Sequence, residues 1–252
     1  MKRLIAFIRM IRSDDPLLRF NVLRKFGALL VPEYRFKLPQ MGWWHNQRFN
    51  DYLERFNEIK GMNTDRRWML YQLMRLVREV PGDTAECGVY RGAGSYLMSK
   101  CNEENTLYHR THYIFDSFEG LSKPSTLDGE HWSEGDFSCD LETVTKNLSE
   151  FSNVSIHKGW IPERFSDVEG YRFCFVHIDL DLYQPTFDSI EFFYHRMNTG
   201  GIIICDDYGF TSCPGATKAI DQFLKNKNEK MVALSCGGGF LVKGCGTSEP
   251  LR

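Results

Sequence analysis

Two pairs of carboxylates end two apolar runs of this 252-residue chain. Asp179 and Asp181 follow the first run, and Asp206 and Asp207 follow the next. Acids at the ends of neighbouring parallel strands face one crevice, where they repel one another unless a cation or a proton is shared between them. Oxygen ligands favour Mg²⁺, with Ca²⁺ or Mn²⁺ as other options. The pattern therefore predicts a divalent-cation site; acids that only cap helices or face water are the alternative.

A glycine-rich turn lies upstream, in the stretch TAECGVYRGAGS. Glu86 ends an apolar run, and Gly88, Gly92 and Gly94 precede a helical pattern. Glycines let the backbone turn tightly and approach a ligand, and a helix N-terminus offers free N–H groups. The spacing differs from the dinucleotide pattern G-x-G-x-x-G, and Glu86 would repel a pyrophosphate. The turn is typical of S-adenosylmethionine sites, although a glycine-rich turn with an incidental Glu has the same letters.

Asp116 ends the apolar run HYIFD, 30 positions after Glu86. An acid at this place can accept hydrogen bonds from both ribose hydroxyls of a nucleoside. A helix cap or a solvated loop acid is the alternative. Together with the glycine-rich turn, Asp116 favours a nucleoside-containing cofactor.

Strand patterns alternate with helical ones through most of the chain, and near-continuous apolar strands predict a parallel sheet covered on both faces. A helix that Thr64 caps and that stops at Pro81 precedes the sheet. The last two strands have only CGGG between them, which predicts an antiparallel hairpin. The predicted strands are Thr84–Tyr90, His112–Asp116, Val154–His157, Phe173–Leu180, Gly201–Asp206, Met231–Ser235 and Phe240–Lys243.

The segment Ser117–Asp140 does not fit the alternation, because it has no clear period and is rich in Gly, Ser, Asp and Glu. A loop of this length inside a compact domain is usually functional or disordered. We predict a lid over the site, in which His131 and Trp132 contact the acceptor or are plain loop residues. His177 shares strand parity with Asp179; a core histidine is favoured over one that orients a ligand or acts as a base.

Composition excludes several functional classes. The formal net charge of −2 argues against a nucleic-acid binder. The eight cysteines form no C-x-x-C pair, which predicts reduced thiols in the cytoplasm rather than a disulfide frame. We expect no transmembrane segment, because no apolar run is long enough. Leu4, Ile5, Ile8 and Ile11 share a helical face, which predicts a helix that docks on its own domain or on a dimer partner; a membrane-surface helix is the alternative.

The chain resembles the macrocin O-methyltransferase (TylF-like) family in six motifs that occur in order: AECGVYRGAGS, FDSFEGL, KGWIPE, HIDLDLYQPT, GGIIICDDYG and CPGATKAIDQF. The resemblance covers roughly residues 64–243. It implies a Rossmann-like class I methyltransferase with an open, mostly parallel seven-stranded α/β sheet and an antiparallel terminal hairpin. It also implies a metal-dependent enzyme that methylates sugar hydroxyls on natural products. Residues 1–62 are then a helical extension for the acceptor or for a homo-oligomer, and residues 63–252 are the methyltransferase domain.

The resemblance also implies roles for single residues. Asp179, Asp206 and Asp207 match the metal ligands, and Asp181 matches a candidate general base, with Asp179 beside it in catalysis. The implied contacts to S-adenosylmethionine are Glu86, Gly88, Tyr90, Gly94, Ser95, Asp116, Ser117, Phe118, Gly159, Trp160 and Asp179.

Two other functions are compatible with parts of the sequence. Asp179-Leu180-Asp181 is also the D-x-D of glycosyltransferases that bind a nucleotide sugar through a metal, but that function leaves Glu86 and Asp116 unexplained. A methyltransferase fold that binds cofactor without catalysis normally loses the acids, which all stand here.

Overall fold

The computed structural model describes residues 2–30, 43, 46–58 and 63–247. The chain divides into two compact units, Met1–Asp51 and Tyr52–Arg252. The predicted domain boundary between residues 62 and 63 directly follows residues 59–62, which lie outside the described part of the chain. The side chains of Leu4 and Ile5, predicted to share a helical face, also lie outside it. No helix in the described ranges is long and apolar enough to cross a membrane.

The first unit holds the two N-terminal helices and most of a third. The helices of the described chain are α1 (Lys2–Ile11), α2 (Pro16–Leu30), α3 (Gln47–Arg55), α4 (Thr64–Leu76), α5 (Ala93–Glu103), α6 (Leu141–Asn147), α7 (Tyr183–Tyr194) and α8 (Pro214–Leu224). Phe7 on α1 lies 6.3 Å from Phe26 on α2, measured between ring centroids. A helix over the amphipathic N-terminal stretch was predicted, and α1 confirms it.

The second unit is built on a seven-stranded sheet, as predicted. Its strands are β1 (Asp83–Cys87), β2 (His112–Asp116), β3 (Val154–Lys158), β4 (Phe173–Ile178), β5 (Met197–Cys205), β6 (Val232–Ala233) and β7 (Gly239–Val242). They lie in the order β3-β2-β1-β4-β5-β7-β6. The first five are parallel, and β7 and β6 form the antiparallel end.

The apolar runs pack on both faces of this sheet. Every residue of β4 is buried, which explains its unbroken apolar sequence. Alternate residues of β2 enter different clusters: Phe115 packs with Phe193 of α7, and Ile114 packs with Val144 of α6. Pro214 begins α8, as its fixed φ favours. All eight cysteines are free thiols in the described structure.

Several predicted boundaries were wrong. Asn63 is the N-cap of α4 and Thr64 is already helical, and α4 ends at Leu76, well before Pro81. Strand β1 ends earlier than predicted, because the chain turns at once at Gly88, whose φ is +79°. Strand β4 also ends earlier than predicted, at Ile178. Strand β5 begins early, at Met197, which pairs with Phe173 through an irregular register.

Candidate active site

A cavity of about 570 Å³ opens at the carboxyl ends of β1, β2, β4 and β5, where open α/β sheets bind ligands. Its volume lies in the usual range for small-molecule sites. Helix α4 and the segment Ser117–Asp140 complete the wall. All of these elements belong to the second unit.

Most of the predicted site residues meet in this one cavity. Those in its wall are Glu86, Gly88, Tyr90, Asp116, Ser117, Trp160, Asp179, Asp181, Asp206 and Asp207, together with His131 and Trp132. We call Glu86, Gly88 and Asp116 the cofactor side, and Asp179, Asp181, Asp206 and Asp207 the carboxylate side. The strand register explains the closeness of the two, since Glu86 of β1 pairs with His177 of β4.

Four predicted cofactor contacts lie behind the wall. Ser95 donates its hydroxyl hydrogen bond to Glu86 Oε2, and any side chain at Gly94 would collide with Glu86 Oε1. Phe118 is buried in the cluster on the α6 face, and the Gly159 N–H donates to the Asp116 carbonyl oxygen, 3.0 Å away. These four residues pack or hydrogen-bond behind the residues that line the cavity. Their direct contact with a cofactor stays a prediction.

Asp116 is held by the backbone of the turn it faces. Its Oδ2 accepts from the Val89 N–H at 2.7 Å, and its Oδ1 accepts from the Phe118 N–H at 2.6 Å. Burial raises the pKa of Asp116, and these backbone hydrogen bonds partly oppose that shift. Each carboxylate oxygen can accept a second hydrogen bond, so the fixed carboxylate can still bind two hydroxyls.

A hydrogen-bonded chain joins the two sides of the cavity beneath its floor. His112 Nε2 lies 3.0 Å from Ser95 Oγ, which bonds Glu86, and Glu86 Oε1 lies 2.7 Å from His177 Nδ1. His177 Nε2 then points at Asp206 Oδ1, 3.5 Å away. Burial lowers the pKa of His177, but the two carboxylates outweigh burial and raise it to about 10. Burial alone would raise the pKa of Glu86, but the hydrogen bond and charge of His177, together with His112 and Ser95, outweigh burial and lower it.

The carboxylates of the carboxylate side carry unequal charge. Burial, with the charge of Asp206, raises the pKa of Asp179 to about 7. Burial also raises the pKa of Asp181, and raises that of Asp207 well above its usual value with help from the neighbouring acids. Burial opposes ionisation of Asp206 as well, but its contacts with His177 and Arg66 outweigh burial and lower its pKa.

These side chains sort into two groups of possible metal ligands. His177, Asp179 and Asp206 form one group, and Asp181, Asp207 and Cys213 form the other, with the ligand atoms of each group within 4.8 Å of one another. Asp207 Oδ2 also accepts from the backbone N–H groups of Leu180, at 3.1 Å, and Asp181, at 2.8 Å. The structure therefore places Asp207 with the candidate base Asp181 rather than with Asp179 and Asp206.

Sequence reasoning missed two arginines at the start of α4. Arg66 forms an ion pair and hydrogen bond with Asp206 Oδ2. Arg67 Nη1 lies 3.9 Å from Asp179 Oδ2, and Arg67 Nε bonds Glu58 at 3.3 Å. The adjacent pair of cations in TDRR was a weak signal, because nothing local showed which acids they would meet.

The segment Ser117–Asp140 is anchored beside the carboxylate side. Asp128 is buried and accepts from the Tyr183 N–H at 2.6 Å and from the Ser125 hydroxyl at 2.6 Å. Trp132 Nε1 donates to Cys213 Sγ at 3.3 Å, and that thiol donates to Asp181 Oδ1 at 3.3 Å. The position of the segment fits the predicted lid, whose movement stays a prediction.

A family model described as macrocin-O-methyltransferase (TylF) matches residues 64–234, more than half of the chain. The chain belongs to the macrocin O-methyltransferase family. The match covers the glycine-rich turn, Asp116 and all four acids of the carboxylate side.

Curated relatives include a tetracenomycin-C rhamnosyl 4′-O-methyltransferase of Streptomyces olivaceus, 30% identical over 148 residues, which are 54% of this chain and 57% of that protein. Mycinamicin III 3″-O-methyltransferase of Micromonospora griseorubida is 29% identical over 149 residues, 53% of this chain and 58% of that protein. The chain thus matches a little more than half the length of these relatives.

Solved structures confirm the class I methyltransferase fold. The calicheamicin methyltransferase CalS11 has a TM-score of 0.63 at 19% identity, covering 92% of this chain and 95% of that chain. The O-methyltransferase NovP has a TM-score of 0.60 at 23% identity, covering 71% of this chain and 80% of that chain.

Proposed function

We propose that this protein transfers a methyl group from S-adenosylmethionine to a hydroxyl of a sugar or a related diol-bearing acceptor, on a natural product or a glycan. The observation that carries the proposal is the single cavity that joins the cofactor side to the carboxylate side. A methyl donor and a hydroxyl acceptor must meet at such a junction, because near-attack geometry requires about 3–3.5 Å between the reacting atoms.

The cofactor side fits S-adenosylmethionine, which supplies an electrophilic methyl group when it is bound. Asp116 offers fixed oxygens for the ribose hydroxyls, and Gly88 leaves its part of the wall without a side chain. Tyr90 and Trp160 line the same wall and offer aromatic surface. These residues would hold and orient the cofactor through hydrogen bonds and stacking.

The carboxylate side supports proton removal from the acceptor. A sugar hydroxyl is a poor nucleophile, because its pKa lies far above neutral. Asp181 lines the cavity, and its raised pKa brings the carboxylate closer to the pH at which a general base works best. Base catalysis of this kind contributes about 10²–10⁴-fold. A divalent cation held by these acids would lower the pKa of the bound hydroxyl.

The named relatives support the acceptor class. One is named for the 4′-hydroxyl of a rhamnosyl tetracenomycin and another for the 3″-hydroxyl of mycinamicin III. For the present chain we propose an acceptor of the same class, a sugar-like group, without specifying the aglycone to which it is attached. We also propose that residues 1–62 help to form the acceptor pocket or a homo-oligomer.

The test is release of S-adenosylhomocysteine by the full chain, followed by mass spectrometry with rhamnosides that carry vicinal hydroxyls. The matched control is the same glycoside with the neighbouring hydroxyl removed, which we expect to react more slowly. Calorimetry with S-adenosylmethionine and with a UDP-sugar tests the glycosyltransferase alternative. Binding of the UDP-sugar without S-adenosylmethionine binding would contradict the proposal.

A further inference from the structure

Exposed apolar side chains of the described chain concentrate in α1 and α2. Leu29 and Leu30 expose 78% and 82% of their surface, the largest fractions among the large hydrophobic residues of the described ranges. The two helices hold seven of the sixteen such residues that are exposed: Ile8, Ile11, Leu18, Leu23, Phe26, Leu29 and Leu30. Single exposed apolar residues are normal on a soluble protein, whereas a cluster of them marks an interaction surface.

Packing of α1 on α2 covers only part of this apolar surface. The rings of Phe7 and Phe26 lie 6.3 Å apart between centroids, and Val22 is buried, but Phe26 keeps 55% of its surface exposed. Leu18, Val22, Phe26 and Leu29 follow one another at intervals of four, four and three residues. They therefore share one side of α2, which is buried at its middle and exposed toward both ends.

The exposed side chains of α1 border the same contact. Ile11 lies four residues after Phe7, and therefore one turn along the same side of α1, and Ile8 lies three residues before Ile11. Apolar residues of both helices thus flank the contact between Phe7 and Phe26. We call Ile8, Ile11, Leu18, Phe26, Leu29 and Leu30 the α1–α2 face.

Residues 1–30 are strongly basic, although the chain as a whole is slightly acidic. They contain seven Lys or Arg residues and two Asp residues, a net charge of +5 in a chain whose net charge is −2. Arg9, Arg12, Arg19 and Lys25 are exposed, and each is the sequence neighbour of an exposed residue of the α1–α2 face. Cationic and apolar side chains are therefore presented together.

This combination of charge and apolar surface distinguishes between possible partners. In a symmetric dimer a second copy would present the same face, and so would bring a second charge of +5 against the first. An anionic bilayer complements both properties, because apolar side chains insert at the boundary between headgroups and acyl chains while Lys and Arg are attracted to anionic lipids.

The lengths of the two helices suit the surface of a membrane. Helix α1 has 10 residues and α2 has 15. At a rise of 1.5 Å per residue they are about 15 and 22 Å long, whereas the hydrocarbon core of a bilayer is about 30 Å thick. Helices of this size can lie in the interface plane, where their apolar side is buried about 5–10 Å deep.

We propose that α1 and α2 bind the surface of an anionic membrane through the α1–α2 face, with Arg9, Arg12, Arg19 and Lys25 at the lipid phosphates. This inference goes beyond the proposed function and does not depend on it. It assigns residues 1–30 to a lipid partner, and it leaves the later part of residues 1–62 for the acceptor pocket or a homo-oligomer.

The test is co-sedimentation of the full chain with vesicles of phosphatidylcholine alone, and with vesicles of an equimolar mixture of phosphatidylcholine and phosphatidylglycerol. We expect binding to the anionic vesicles to be at least about tenfold stronger at about 0.1 M salt, because several cations face the lipid headgroups. Raising the salt to about 0.5 M should weaken this binding at least about threefold, because salt screens exposed charges.

Exposed leucines provide a variant and its matched control. The double variant Leu29→Ser, Leu30→Ser should bind anionic vesicles at least about tenfold more weakly, because two large apolar side chains no longer leave water. The double variant Leu76→Ser, Leu107→Ser removes two exposed leucines of the second unit and should bind as the wild-type protein does.

The charges are tested in the same assay. The double variant Arg19→Gln, Lys25→Gln should weaken binding to anionic vesicles about tenfold and reduce its salt dependence, while binding to neutral vesicles hardly changes. In the wild-type protein, hydrogen exchange on anionic vesicles should slow in α1 and α2 and stay unchanged in α6. This exchange measurement decides the question even if a variant does not fold.

The inference is overturned if the full chain does not bind anionic vesicles, or binds neutral vesicles equally well. Unchanged binding of the Leu29→Ser, Leu30→Ser variant also overturns it. A dimer seen by analytical ultracentrifugation that dissociates in this variant, without vesicle binding by the wild-type protein, would assign the α1–α2 face to a second copy instead.

Discussion

The two sides of the cavity are built from similar strand ends but neutralise their acids differently. On the cofactor side, Asp116 is held by backbone N–H groups and Glu86 by Ser95 and His177. On the carboxylate side, arginines from α4 meet Asp179 and Asp206. Neutral backbone donors therefore hold Asp116 on the cofactor side, whereas the carboxylate side has more acids than facing arginines.

Two buried histidines show the same contrast. His112 lies beneath the cofactor side, between Thr84 and Ser95, and burial lowers its pKa to about 4. His177 lies one strand beyond Glu86, between two carboxylates, and its pKa is raised to about 10. One hydrogen-bonded chain thus runs from a neutral imidazole to one that holds a proton between two carboxylates.

The largest expected effect comes from the carboxylate side. Asp179→Asn should lower methyl transfer by at least about 10²-fold, because it removes one charge needed for proton removal and cation binding. The dissociation constant of S-adenosylmethionine, measured by calorimetry, should change little. Full activity of this variant in the presence of EDTA would rule out a metal role for Asp179.

A substitution on the cofactor side should instead weaken S-adenosylmethionine binding and leave cation binding unchanged. Asp116→Ala should weaken S-adenosylmethionine binding by about 10–100-fold, because hydrogen bonds to a charged group are worth about 1.5–3 kcal/mol. Asp116→Asn is the matched variant, which keeps one acceptor oxygen and should bind with intermediate affinity. Mn²⁺ affinity should be unaltered in both, and a parallel loss of Mn²⁺ would show that the two sides are not separable.

The neutral histidine predicts a pH dependence of stability. The folded pKa of His112 is about 4, below the ordinary value of 6.5. The unfolded chain therefore binds the proton first, and stability falls as pH drops from 6.5 toward 4. Between pH 6.5 and 5 this loss amounts to about 1.5 kcal/mol, because the unfolded histidine is already half protonated at pH 6.5.

Urea unfolding at these two pH values measures the effect. His112→Gln should lose less stability on acidification than the wild-type protein. His109→Gln changes an exposed histidine and should behave as the wild-type protein does. Equal pH dependence of all three proteins would contradict a neutral His112.

The smallest expected effect concerns the segment that reaches from one side to the other. Asp128→Asn should loosen Ser117–Asp140 by about 1 kcal/mol, because an amide cannot satisfy both Tyr183 and Ser125 as the carboxylate does. Hydrogen exchange in this segment should rise while the unfolding midpoint hardly moves. Asp136→Asn is the control, because Asp136 accepts an exposed hydrogen bond from the Ser133 N–H within the same segment.

The sequence predicted the sheet best where the signal was local. Strand β2 was predicted with its observed bounds, because polar residues flank a short apolar run. Strand β5 was predicted too short, because its first residues pair with Phe173 only after a register irregularity that depends on the neighbouring strand. Strand β6 is only two residues long, although five were predicted.

The sequence predicted which acids form the candidate site, but not which side chains pair with those acids. Strand-end carboxylates follow from apolar runs, whereas the contact of Arg66 with Asp206 joins residues 140 positions apart. The alternation of side chains along a strand also predicted that His177 and Asp179 share one face. It could not show that Glu86 and Asp206 face the two ring nitrogens of His177.

Gly88 links the two sides through the backbone itself. Its φ is +79°, and any side chain there would collide with the carbonyl oxygen of Asp179. A larger residue at position 88 would push against Asp179 just beyond β4, and so move the carboxylate side as well as the glycine-rich turn. A substitution at Gly88 therefore cannot alter one side of the cavity without disturbing the other, so the two sides are constrained together at this position.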